Sequence, residues 1–166
     1  MGKSTYYFFN YVCLRKLWPM DLKKQIYKLA DNYYNEIVNI RRHLHQHPEL
    51  SFQEYETIRY IEDILKKAGI GYEKPVETGI TGIIKSNASE FPVVALRADI
   101  DALPIEEKNN IAYASKNKGI MHACGHDAHT ASLIGALKIL NNLKDNWYGS
   151  VKFVFQPGEE KLPGGA

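Results

Sequence analysis

The sequence holds only two cysteines, Cys13 and Cys124, in 166 residues. So few, so far apart, exclude a disulfide framework and point to a reducing, cytoplasmic setting in which a cysteine is kept for another purpose. No apolar run approaches the ~20 residues that span a bilayer, so no membrane-spanning helix is expected. Charge of one sign is also scarce in runs: 21 Lys and Arg face 19 Asp and Glu, for a formal net charge of +2. Neither nucleic acid nor an acidic membrane is implied as a partner. Missing too are an internal repeat, a low-complexity tract, a glycine-rich phosphate loop after a strand and a serine in a nucleophile elbow. The opening MGKSTYYFFNYVCLRKLWP lacks the clean apolar core and small-residue cleavage site of a signal peptide. Residues 1–19 therefore read as a disordered extension and 20–166 as the domain.

What is present is the balance of a soluble globular protein, 45% apolar and 24% charged. From Asp21 the apolar residues Leu22, Ile26, Leu29, Tyr33, Ile37, Ile40 and Leu44 recur every three or four positions, which predicts an amphipathic helix to about Gln46, stopped by Pro48. Ser51 and Glu54 have capping-box spacing ahead of a second helix carrying Ile58, Ile61 and Leu65, with Gly69 at its end. Short β-branched segments at 82–85 and 92–96 read as strands, and 150–155 as a last one before the turn Gln156-Pro157-Gly158. Between them MHACGHDAHT leads into a third helix with Leu133, Ile134, Leu137 and Leu140. Strands alternating with helices predict an α/β domain with a mixed, mostly parallel sheet.

Four segments carry candidate chemistry. In His122-Ala123-Cys124-Gly125-His126-Asp127-Ala128-His129, a thiol and three imidazoles suit zinc or a similar ion, and Cys124 and His126 share a face if the segment is extended. Asp127 would cap the helix or support a ligating histidine. The competing reading is a buried cysteine with surface histidines at a helix start. In Phe155-Gln156-Pro157-Gly158-Glu159-Glu160, one carboxylate can bind a metal while its neighbour acts as general base, or both can simply be solvated. Asp99 and Asp101, after an apolar segment, would present two carboxylates on one face, supporting a metal cluster, or would cap turns and pair with Arg97. His43, His45 and His47 alternate, yet on a helix residues two apart do not share a face. That segment reads as a structural helix end packing on the sheet, its cations suited to the helix dipole.

Taken together, RRHLHQHPELSFQE, LRADIDALP, HACGHDAHT and FQPGEE, in this order and spacing, resemble the metal-dependent amidohydrolases of the hippurate hydrolase, N-acyl-amino-acid amidohydrolase and indole-acetyl-amino-acid hydrolase type. The resemblance spans residues 20–166. It implies the N-terminal portion of a zinc-peptidase-like, three-layer catalytic domain. It makes Cys124, His126 and Glu160 metal ligands and Glu159 the general base, with Asp101 supporting the site. It further implies two divalent ions per complete site (zinc, manganese, cobalt or nickel), a small-molecule N-acyl amino acid substrate and a homo-oligomer for the full-length family. Family members supply two more ligand histidines and an inserted lid and dimerisation domain, none of which lies in these residues. The 166 residues alone are therefore expected to be inactive. Two other readings stand beside this one: a non-catalytic metal-binding or interaction module derived from such an enzyme, and a thiol enzyme with Cys124 as nucleophile.

Overall fold

The computed structural model of the chain describes residues 21–165. The extension read over 1–19, with Cys13, lies outside the described residues. Helix α1 (Asp21–Gln46) runs where the periodicity predicts it. Its stripe is buried at Leu22 in the first turn and at Ile40 and Leu44 toward the end, whereas Ile26 between them is 40% exposed. Pro48 follows the helix end, and the His47 amide closes it with bonds to the carbonyls of His43 and Leu44.

Helix α2 (Tyr55–Lys67) forms as predicted but not with the predicted cap. The Ser51 hydroxyl donates to Asp101 and the Glu54 carboxylate accepts from Gly158, so neither serves the helix. Glu49 does the capping, its two oxygens accepting the amides of Glu56 (3.1 Å) and Thr57 (2.8 Å). At the other end the Gly69 amide bonds to Lys66 and the Ile70 amide to Leu65, the paired bonds of a Schellman stop.

The strands are β1 (Glu73–Val76), β2 (Gly79–Lys85), β3 (Val93–Asp99) and β4 (Ser150–Gln156). β1 is a short, exposed edge strand without the apolar pattern that would have revealed it. Helix α3 (His126–Asn142) lies between β3 and β4 in sequence. The sheet is mixed, in the order β1-β2-β4-β3, and only β3 with β4 is parallel. The parallel share is thus one pairing of three, less than expected, because β1, β2 and β4 meet antiparallel.

Side chains on one face of the sheet build the core. Ile80, Ile84, Ala98, Phe153 and Phe155 join Ile58, Ile61 and Leu65 of α2 and Ile134 and Leu137 of α3. α1 packs along α3, and α3 against β3 and β2. The alternate positions of the strands, among them Ile83, Lys85, Ala95, Arg97 and Lys152, face outward and are exposed. No helix among the described residues is long and apolar enough to cross a membrane.

Candidate metal centre

Because β3 and β4 run parallel with Asp99 opposite Gln156, both strands end at the same edge. In an α/β sheet the crevice beyond such ends is where ligands gather. The α3 N-terminus is brought there by Thr130, whose hydroxyl donates to the Asp99 carbonyl (3.0 Å). Three loops converge: the one after β3, the one after β4, and the turn before α3.

Asp101 is the hub, and it is 1% exposed. Its Oδ2 accepts from the Ser51 hydroxyl (2.7 Å) and the Glu160 amide (3.0 Å). Burial works to raise its pKa, but the bonds from His126, Ser51 and the Glu160 and Glu159 amides win, and the carboxyl is held well below the usual range. His126, the first residue of α3, has Nδ1 2.9 Å from the Asp101 carbonyl and 3.3 Å from its Oδ1. That hold turns Nε2 toward the crevice, 3.6 Å from Asp99 Oδ1, 3.7 Å from Glu160 Oε1 and 3.9 Å from Glu159 Oε2. Burial would lower the imidazole pKa, yet Asp101 and Asp99 outweigh it and the value is raised.

Cys124 reaches the same point by a different route from the one expected. The segment is not extended; it is a turn in which Gly125 adopts φ +84°, a left-handed conformation that suits glycine. The ligand atoms of Cys124, His126 and Glu160 all lie within 4.8 Å of one another. A second trio, Asp99, His126 and His129, meets the same criterion and shares His126. Asp99 and Asp101 do not present one face. They flank the imidazole at opposite nitrogens, and Asp99 also pairs with Arg97 (3.2 Å).

The other candidates take structural parts. Asp127 neither caps α3, whose N-cap is Gly125, nor bonds to His126. Buried, it accepts from Arg41 Nε (2.9 Å) and lies 2.8 Å from His45 Nδ1, tying the end of α1 to the start of α3. At the end of α1, Arg41 and His45 thus serve Asp127 and, through His45, Glu107 (3.1 Å), while Ile40 and Leu44 of the same helix end join the core with the sheet. His122 is buried with both ring nitrogens unpartnered among the described residues, and burial pushes its pKa down to about 4. Sequence reading missed Ser51 and Glu54 as neighbours of the site, having taken them for a helix cap. Asp99 and His129 stood only as possible supports or ligands and were not singled out, although His126 and His129 have the i, i+3 spacing of one helix face and their rings stack at 5.7 Å.

Residues 95–166 match the family model of Peptidase family M20/M25/M40. The chain is 46% identical over 145 residues to the N-acyl-L-amino acid amidohydrolase of Geobacillus stearothermophilus, a match covering 87% of this chain and 39% of that one. It is 53% identical over 126 residues to the N-acetyl-L-cysteine deacetylase of Bacillus subtilis, covering 75% and 30%. Among solved structures it is similar to the YXEP protein of Bacillus subtilis, a dinuclear metal-binding peptidase, at 48% identity and a TM-score of 0.77, covering 81% of this chain and 38% of that one. The chain therefore spans two fifths or less of the length of these relatives. With fold, sequence and motif order in agreement, the chain belongs to the M20 peptidase family.

Proposed function

We propose that the chain carries part of the active site of a metal-dependent amidohydrolase that cleaves the amide bond of N-acyl amino acids. The observation that carries this reading is the convergence of Cys124, His126 and Glu160 within 4.8 Å, with Glu159 beside them. The donors suit an ion. Thiolate, imidazole and carboxylate together can hold zinc, manganese, cobalt or nickel, with availability deciding among them. His126 is locked by Asp101 with Nε2 facing the crevice, the support that a ligating histidine requires. The Cys124 thiol, hydrogen-bonded to Glu160, partly desolvated and surrounded by Glu160, Glu159 and Asp99, is pushed up to about 11. A cation placed there relieves that accumulation of negative charge. The same acidic surroundings count against Cys124 as a free nucleophile, because reactive thiolates need electropositive neighbours.

A divalent ion held there supplies Lewis-acid polarisation of the acyl carbonyl and lowers the pKa of water. Glu159, with its side chain 41% exposed at the crevice, takes the proton of the attacking water as it adds to the acyl carbon. It then delivers that proton to the departing amine nitrogen, releasing a carboxylic acid and the free amino acid. Asp101 orients His126 and, by holding the Glu160 amide, the carboxylate pair. Two ions per complete site, a cytoplasmic setting and a homo-oligomeric assembly belong to the same reading. The two relatives named for acylated amino acids support the substrate class.

Metal content and turnover measured on one sample test it. The 166-residue polypeptide is expected to take up cobalt(II) with a thiolate-to-metal absorption band, lost in Cys124→Ser and His126→Ala, and to hydrolyse N-acetyl amino acids negligibly. In an enzyme carrying the complete ligand set, Glu159→Gln keeps the metal and lowers kcat by about 10²–10⁴-fold. Absence of a thiolate band, or undiminished turnover in Glu159→Gln, would overturn the assignment.

A further inference from the structure

We propose that Glu54 is a positioning residue that clamps the 157–160 loop and so sets where Glu159 and Glu160 stand. This rests on the reading of those two glutamates given above. Glu54 precedes α2 and is fully buried. A buried carboxylate is costly unless its hydrogen bonds repay the desolvation. Among the described residues Glu54 makes no ion pair; its Oε1 accepts the backbone amide of Gly158 at 2.8 Å. The amides of Phe52 and Glu54 and the Thr78 side chain also support the carboxyl, and Oε2 is buried without a hydrogen bond among the described residues. Phe52, two residues earlier, lies at φ +65°, the one non-glycine residue in the left-handed region among those described. Such a conformation is strained for a residue with a Cβ and calls for a compensating contact.

That contact is Gly158 again. A Cβ on Gly158 would fall 2.4 Å from two carbons of the Phe52 ring, so the ring occupies the space that glycine leaves. The same short turn acts a third time through Ser51, which bonds to the Asp101 oxygen that accepts the Glu160 amide. The amides on either side of Glu159 are therefore each fixed by a buried carboxylate, Glu54 at 158 and Asp101 at 160. Glu159 projects from between these anchors, its side chain part-exposed at the crevice and 3.9 Å from His126 Nε2. Placement of reacting groups to within a fraction of an ångström is what such support achieves.

The test compares the 166-residue chain with Glu54→Gln, Glu54→Asp and Glu54→Ala. Glutamine keeps an acceptor oxygen at the same reach; aspartate keeps the charge but withdraws it by one methylene. Amide hydrogen exchange of residues 157–160 is read without metal, and cobalt(II) affinity is read by titration. Glu54→Gln should match the wild type in both. Glu54→Asp and Glu54→Ala should exchange at least tenfold faster in 157–160 with β4 unchanged, and bind cobalt about 10–100-fold more weakly. Wild-type exchange or affinity in aspartate and alanine variants overturns the clamp, as does failure of the glutamine variant. Loss of protection throughout β4 also overturns it, making Glu54 a general determinant of the fold. If no form binds cobalt, wild type included, the metal reading fails and the exchange data alone decide the clamp.

Discussion

The burial of an imidazole has a consequence that can be measured without any metal. His122 has no hydrogen-bond partner among the described residues, and burial lowers its pKa from 6.5 to about 4. The folded state thus takes up its proton less readily than the unfolded state. Stability must fall as pH drops below 6.5, and this loss stops below about 4. The difference is on the order of 3 kcal/mol. His126 works in the opposite sense and in a higher window: its raised pKa adds stability that is complete below 6.5 and is lost as pH rises through the folded value. Asp101, held low, adds stability above its ordinary 3.8 that is lost as pH falls through the folded value. Urea unfolding at pH 7 and pH 4 should therefore show a smaller loss for His122→Gln than for the wild type. Equal losses would mean that His122 is not buried neutral.

Elements here are positioned by close backbone approach as much as by propensity. β2 crosses the core at Gly82, where a Cβ would meet the Phe153 ring at 2.3 Å and the Gly71 carbonyl at 2.6 Å. The ring is fully buried and T-shaped against Phe155, so it has no room to retreat. Gly82→Ala is expected to destabilise by about 1–3 kcal/mol, the usual range for overpacking. Gly71, with nothing within 4 Å of its built Cβ, is the internal control, and Gly71→Ala should be neutral or slightly stabilising. Chemical denaturation of the two variants decides this; equal effects would contradict the packing of β2 on β4. A parallel case is the α2 cap: Glu49→Ala removes two amide acceptors and should cost about 1 kcal/mol in the same measurement.

On the scale of the whole molecule the sheet is one-sided. Its inner face holds Phe153 and Phe155 at 0% exposure, whereas Ile83 on the outer face is 45% exposed. Phe153→Ala should cost about 3–5 kcal/mol, and Ile83→Thr no more than about 0.5 kcal/mol. A large loss at Ile83 would show that something covers the outer face in solution. The site inherits this asymmetry. Its residues come from four stretches separated in sequence, 49–54, 97–101, 122–129 and 156–160, and they meet because parallel β3 and β4 end together against the start of α3.

Hydrophobic period, with Pro48 as the stop, placed α1 from Asp21 to about Gln46 and, with turn and glycine signals, marked α2, α3 and β4 as elements, because a sustained pattern of core-facing side chains fits only one backbone repeat. Motif order determined the family, and with it Cys124, His126, Glu159, Glu160 and Asp101 as the residues to watch. β1 was illegible, since an exposed edge strand has no buried face to imprint on its sequence. Only tertiary structure decided what the polar side chains bond to. Ser51 and Glu54 had the spacing of a helix cap, and Asp127 the position of one. Yet a carboxylate or hydroxyl is satisfied by whichever partner the fold brings within 3 Å. Here those partners lie 50 to 104 positions away in the chain.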